Sequence, residues 1–266
     1  MSSNPVRNTD ARVTARELFR LSPLKQRKVA MVTEFLGPRG PGEYLDLGSD
    51  NGVVSLILRE GGGRWSSADL SSETVQAIRD LVVERVEHFD GQTFPFATEQ
   101  FSGIAVVDML EHLEDEGPIV RELSRMLKPG GVLVVNVPNP IPGMLRSLRL
   151  AVGQSDERHG HRRAGYSIEQ LTALLSPNFQ LERSQSYGRW FSEVVDFAIT
   201  AAVDLLKGGH RGVKGQVVTM GDLSKRAGSL KLYKVIAPLL NAMVKLDAFL
   251  PGDRGNMLIA RFRKRE

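Results

Sequence analysis

The segment Asp46-Leu47-Gly48-Ser49-Asp50-Asn51-Gly52 follows a short apolar run and precedes a helical pattern, and Asp69 closes the next such run 21 residues after Gly48. Glycines at a strand-to-helix turn let the backbone approach a ligand closely, and a carboxylate at the tip of the neighbouring strand can accept from both hydroxyls of a ribose. The pair points to a ligand that contains a nucleoside. Three histidines could accept a proton near pH 7: His112 at the end of another apolar run, and His159 and His161 in a polar stretch. His159 and His161 could chelate, but no third ligand stands at a diagnostic spacing, so no metal is expected. The chain has no cysteine, which excludes disulfides, thiolate zinc sites and a cysteine nucleophile.

The charge of the first loop separates two nucleoside ligands. A dinucleotide-binding turn wants G-x-G-x-x-G under a pyrophosphate, and Asp50 stands where the middle glycine belongs. A carboxylate there repels a pyrophosphate and tolerates a sulfonium ligand carrying an ammonium, so the residues favour S-adenosylmethionine over a nicotinamide cofactor.

The elements that position these residues alternate in type. Short apolar runs at 43–47, 64–69, 84–88, 103–107 and 131–137 read as strands, separated by helical patterns at 52–60, 71–80 and 116–127, the last stopped by Lys128-Pro129-Gly130-Gly131. That alternation predicts an α/β fold, a Rossmann-like, doubly wound and mostly parallel sheet. A helix over 167–175, strands near 178–187 and 256–263, and apolar amphipathic helices at 190–206 and 229–250 follow, giving seven strands with an added helical cap. The domain reading is a disordered tail over 1–12 and one domain over 13–266. Its cofactor-binding core is 43–137, and its cap elements are 13–36 (interrupted at Pro23), 138–166 and 188–254.

Residues 44–137 resemble the class I S-adenosylmethionine-dependent methyltransferases, particularly the small-molecule and ubiquinone-type group. Asp46-Leu47-Gly48 followed by Gly52 is similar to the D-x-G-x-G-x-G motif, and Ala68-Asp69-Leu70-Ser71 to the ribose-binding acid segment. Asp90-Gly91-Gln92-Thr93-Phe94-Pro95-Phe96 is similar to D-A-x-x-L-P-F, Val107-Asp108-Met109-Leu110-Glu111-His112-Leu113 to the segment lining the methionine moiety, and Glu122 to Gly131 to the turn before the fifth strand. Ser102 replaces the aspartate of the usual F-D-x-V. The resemblance implies that Asp46 faces the cofactor's ammonium directly or through water. It further implies that Gly48, Ser49 and Gly52 admit the methionine and ribose, that Asp69 and Leu70 hold the ribose, that Asp90 and Gly91 hold the adenine, and that Asp108 and Met109 line the methionine. The activity implied is methyl transfer, with O-methylation favoured.

The acceptor is less legible. Arg146, Arg149, Arg158, Arg162, Arg163 and Tyr166 fall in a long connection of the kind that covers the acceptor in this family, and guanidinium groups at that density suit a phosphate or carboxylate. Residues 1–140 carry 15 basic and 20 acidic side chains, residues 141–266 carry 20 and 11, so the second half favours an anionic partner. A small-molecule or lipid-linked acceptor is expected, with peripheral contact to an anionic membrane and a homodimer both left open. An RNA methyltransferase is an alternative, although no RNA-binding module is visible and nucleic acid is not the expected partner. A degenerate fold acting as a binding protein is another. No apolar stretch has the length of a signal peptide core or a membrane span, so the expected location is the cytoplasm, with the inner face of the membrane as an option.

Overall fold

The apolar runs pair into one seven-stranded sheet in the computed structural model, which describes residues 5–49, 51–82, 85–140, 162–206, 227–250 and 254–266. Among them, β1 (Glu43–Leu47), β2 (Arg64–Asp69), β3 (Val86–His88), β4 (Phe101–Val107) and β5 (Leu127–Pro138) are parallel neighbours, and β6 (Phe179–Tyr187) and β7 (Met257–Lys264) complete the order β3-β2-β1-β4-β5-β7-β6. Strand β7 runs antiparallel between β5 and β6. The expected doubly wound, mostly parallel sheet is therefore the one observed. The order reverses at β1 and β4, and ligands of open α/β sheets bind at such a switch, beyond the carboxyl ends of the strands.

Both faces of the sheet are covered, which is why its central strands read as nearly unbroken apolar runs. Leu45, Leu47, Ile104 and Val106 point to one face, where α5 (Gly117–Met126) and α6 (Ile168–Leu175) pack. Tyr44, Ala105, Val107 and Val134 point to the other, against Val29, Val32 and Phe35 of α2 (Pro23–Leu36). Helices α3 (Val53–Glu60) and α4 (Ser72–Val82) share a third cluster with Ala15 of α1 (Pro5–Leu21). The break at Pro23 falls where α1 ends and α2 begins, with the proline in the first turn of the new helix. Helix α6 starts at a capping box in which the Ser167 hydroxyl accepts from Gln170 N and the Gln170 side chain accepts from Ser167 N.

Two boundary differences have a clear physical cause. Helix α1 begins at Pro5, inside the stretch whose polar composition reads as a disordered tail; the partners that hold it, α3 and α4, are distant in sequence. Strand β5 starts at Leu127 and includes the Lys128-Pro129-Gly130-Gly131 turn, because Leu127 pairs with Phe101 before the register shifts. Helices α7 (Trp190–Leu206) and α8 (Ala227–Leu246) stand where the cap elements were expected, and α8 packs on α7, α2 and α1.

Candidate active site

The loop after β1 leaves no room for a side chain at either end. Gly48 has φ +80, and a Cβ there would stand 2.1 Å from the Val107 carbonyl oxygen of β4; Gly52 has φ +79, and its Cβ would stand 2.8 Å from Ile78 Cα of α4. Only glycine satisfies both the left-handed backbone and the close approach. Between them Ser49 is buried and its hydroxyl donates to Asp46. Asp46 itself is fully buried. One carboxylate oxygen accepts from Ser49 and from Ser55 Oγ (2.6 Å), the other from Ser67 Oγ (2.8 Å) and, at 3.4 Å, Arg59 Nη1. Three hydroxyls and a guanidinium hold the charge where water cannot.

The neighbouring strand tips bring the other acids to the same edge. Asp69 ends β2, and its Oδ1 accepts from Ser71 N at 2.9 Å. Leu70 packs on the core, its carbonyl oxygen 2.9 Å from His88 Nε2. After β3, Asp90 Oδ1 accepts from the backbone N–H groups of Gln92 and Thr93, both at 2.9 Å, which holds this exposed carboxyl below its usual range. Gly91 turns the chain at φ +87. The following Phe94 and Phe96 are fixed from α5: Glu122 Oε2 accepts from Phe94 N (3.0 Å) and Arg125 donates to the Phe96 carbonyl (2.8 Å).

At the end of β4, Asp108 adopts φ +48, a conformation rare outside glycine and frequent at functional sites. Its backbone N donates to Asn136 O, its Oδ1 accepts from Asn136 Nδ2 at 2.8 Å, and its Oδ2 pairs with Lys28 Nζ of α2. Asn136 is in turn the acceptor of the Tyr187 hydroxyl from β6. A chain of contacts thus ties α2, β4, β5 and β6 together. One turn on, Glu111 is fully buried, and among the described residues neither carboxylate oxygen has a hydrogen-bond partner. Burial, reinforced by the Asp108 carboxylate, pushes its carboxyl up to about 8. It therefore keeps its proton at neutral pH.

A methyltransferase domain model matches residues 45–135, the span that contains every one of these strand tips. Residues 45–135 are a methyltransferase domain. The chain is 29% identical over 143 residues to the ubiquinone biosynthesis O-methyltransferase of Xanthomonas oryzae pv. oryzae. It is 30% identical over 139 residues to the protein of the same name from Xanthomonas axonopodis pv. citri. Each match covers 50% of this chain and 56% of the relative, so the chain spans little more than half the length of these curated relatives. Among solved structures, an S-adenosylmethionine-dependent methyltransferase from Mesorhizobium loti is similar in fold, with a TM-score of 0.52 and 16% identity, covering 88% of this chain and 96% of that one. The phosphoethanolamine N-methyltransferase 2 of Haemonchus contortus, in complex with S-adenosyl-L-methionine, gives 0.57 and 17%, covering 90% and 53%.

The methyltransferase domain brings Gly48, Ser49, Gly52, Asp69, Leu70, Asp90, Gly91, Asp108 and Met109 to the carboxyl edge of β1 to β4. Asp50, whose charge separated the two cofactors, lies outside the described residues. So do His159, His161, Arg146, Arg149 and Arg158. His112 closes the short helical turn Leu110–His112 that follows β4.

Three expectations are corrected. Asp46 does not present a free oxygen to a ligand's ammonium: its two oxygens are engaged by Ser49, Ser55, Ser67 and Arg59, and it anchors the loop from beneath. Tyr166 is buried, with its hydroxyl between the Leu110 carbonyl (3.1 Å) and Glu116, and burial with that carboxylate raises its proton affinity. It locks the returning chain instead of touching an acceptor. Arg163 pairs with Glu116 and lies over the Tyr166 ring, and Arg162 pairs with exposed Glu114 at 2.9 Å; both acids are distant in the sequence, which is why spacing did not assign them to these arginines.

Four residues were missed. Lys28 and Lys25 reach the loops after β4 and β1 from α2, Lys25 Nζ lying 3.4 Å from Asn51 Oδ1. Their spacing of three residues on one helix was the available signal. Asn136 interrupts the apolar run Val132 to Val137, and a polar residue in a buried strand demands a partner. Glu111 stands between Leu110 and His112 in the segment already singled out, but its isolation is visible only in three dimensions.

Proposed function

We propose that this chain catalyses S-adenosylmethionine-dependent methylation of a small-molecule or lipid-linked acceptor, with oxygen as the accepting atom. The observation that supports it most is the convergence at one sheet edge of the Gly48–Gly52 turn, the Asp69 carboxylate and the Lys28–Asp108 pair. The donor set suits the cofactor: Asp69 holds the ribose hydroxyls, the Asp90 turn with Phe94 and Phe96 behind it receives the adenine, and Lys28 offers a cation to the methionine carboxylate. When bound, S-adenosylmethionine supplies an electrophilic methyl group. The chain's own part is to align an acceptor with it in a dry pocket and to take away a proton. Among the described residues His112, just after β4, is the candidate for taking the proton, and His159 and His161 remain candidates from the sequence. Oxygen is preferred because the curated relatives are named as O-methyltransferases. An anionic acceptor now rests on Arg146, Arg149 and Arg158, since Arg162 and Arg163 pair with acids of the fold.

Titration with S-adenosylhomocysteine in a calorimeter tests the cofactor assignment. Binding in the micromolar range is expected for the wild type, with no heat from NAD. Asp69→Ala should weaken the affinity about a hundredfold, the loss of two hydrogen bonds to a charged acceptor. Undiminished affinity in that variant would remove the ribose assignment and with it the proposal. Lys28→Gln is expected to cost about tenfold in affinity for S-adenosylhomocysteine and much less for adenosine, which has no carboxylate; an equal loss for both would show that Lys28 acts on the fold alone. For the acceptor, incubation with catechols bearing short and isoprenoid tails, followed by mass spectrometry for one added methylene, separates small from lipid-linked substrates. Binding of the cofactor with no product from any acceptor would favour a binding protein on the same fold.

A further inference from the structure

The cap carries an apolar surface that the active site does not use. Along α8 and the turn after it, Val235 is 76% exposed, Leu239 64%, Leu246 42% and Phe249 83%. Their spacing of four, seven and three residues puts them on one stripe of the helix. The opposite side is seated: Ala237 and Val244 are buried, the Tyr233 hydroxyl donates to the Leu21 carbonyl at 2.9 Å, and Gln26 Nε2 lies 3.2 Å from Asn241 Oδ1. The helix is therefore oriented by α1 and α2, and its outward apolar stripe is not an accident of fraying. Single exposed apolar residues are ordinary in a water-soluble domain, but a stripe of four running from Val235 to Phe249 marks a contact surface.

Charge selects the occupant. Helix α8 contains three lysines and no acidic residue; exposed Lys245 flanks the stripe, and Lys234 beside it also reaches Glu17 of α1 at 3.7 Å. The half of the chain from residue 141 on carries 20 basic side chains against 11 acidic ones. A two-fold dimer built on this stripe would set two such basic halves against each other, whereas an anionic bilayer surface attracts them. An amphipathic helix with lysines beside its apolar face lies in the plane of the headgroups. Among the described residues no helix is long and apolar enough to cross a membrane, which fits contact with the surface.

We propose that the Val235–Phe249 face of α8 is an interfacial contact that docks the protein on an anionic membrane surface. The docked helix rests on α2, which carries Lys28 to the end of β4, so docking would set the mouth of the site near the bilayer. Only that delivery of an acceptor rests on the methyltransferase reading; the contact itself is measured without acceptor or cofactor.

Cosedimentation of the full chain with phosphatidylcholine vesicles, with and without phosphatidylglycerol, is the test. The wild type should partition onto the phosphatidylglycerol vesicles at low salt and be released as salt rises. Leu239→Asp combined with Phe249→Asp should weaken partitioning at least tenfold, roughly the effect of withdrawing two apolar side chains from the interface, with an unchanged melting temperature because both are exposed. Lys245→Glu should reduce the preference for phosphatidylglycerol while the apolar stripe stays intact. Absence of the wild type from anionic vesicles at low salt would overturn the proposal, as would equal binding by the double variant. A wild-type dimer that the double variant splits, with no vesicle binding by either, would assign the face to a second copy and equally overturn it.

Discussion

Gly48→Ala is expected to destabilise the protein by about 3 kcal/mol or more and to abolish cofactor binding. Two effects add. The left-handed backbone at φ +80 costs an alanine roughly 1–2 kcal/mol. The new Cβ would stand 2.1 Å from the Val107 carbonyl oxygen, and backbone in the middle of a parallel sheet cannot step aside as a flexible side chain can, so overpacking adds roughly 1–3 kcal/mol. The loop must then move away from β4, and with it the turn that receives the cofactor. Gly130→Ala is the control. That glycine has φ +66 but nothing within 4 Å of the added Cβ, so the backbone cost of roughly 1–2 kcal/mol should stand alone and binding should survive. Thermal melts and calorimetry on the two variants distinguish them; equal losses would mean that the close approach to β4 contributes nothing.

Glu111→Gln is expected to stabilise the protein, by an amount that depends on pH in one direction. In the unfolded chain this carboxyl loses its proton near its ordinary value of 4.5, whereas in the folded chain it holds it up to about 8. Between those values folding must take up a proton, so the wild type loses stability as pH rises through the window and is level above it. Glutamine cannot titrate. The difference between the variant and wild type should be small below about pH 4.5, grow through the window, and reach on the order of 4 kcal/mol at the top. Denaturant melts at several pH values measure it. A difference that does not vary with pH would mean that the carboxyl is satisfied in solution. Methyl transfer near neutral pH should be little changed in the same variant, since a carboxyl that already holds its proton cannot take one from an acceptor.

The sequence made the sheet readable because its strands are buried on both faces and its turns are marked by glycine. Gly48, Gly52 and Gly91 each announce a backbone that other residues resist, and all three adopt positive φ. Asp69 was legible for a similar reason, since its position is counted from a turn. What spacing could not show was how each acid is partnered. Asp46 looks from the sequence like Asp69, an acid on an apolar run, but Ser49, Ser55, Ser67 and Arg59 come to it from three elements. Arg163 and Tyr166 read as an acceptor-facing pair until Glu116 is placed between them. Lys28 lies 80 residues from Asp108, and no local pattern joins them. The start of helix α1, before residue 13, was missed because that stretch is polar and its partners α3 and α4 are distant in the sequence.

The place of β7 governs the order in which the protein can become competent. It is synthesised after β6 yet stands between β5 and β6, so during translation β6 has no sheet to join until residues 257–264 have left the ribosome. Arg261 of that strand also donates to the Phe35 and Leu36 carbonyls at 2.6 and 2.9 Å, which fastens the end of the helix bearing Lys28. A nascent chain that has already made the whole glycine turn and its acids therefore still lacks the fastening of the helix above them, and a ribosome stalled before that strand would hold a cofactor cleft open on one side.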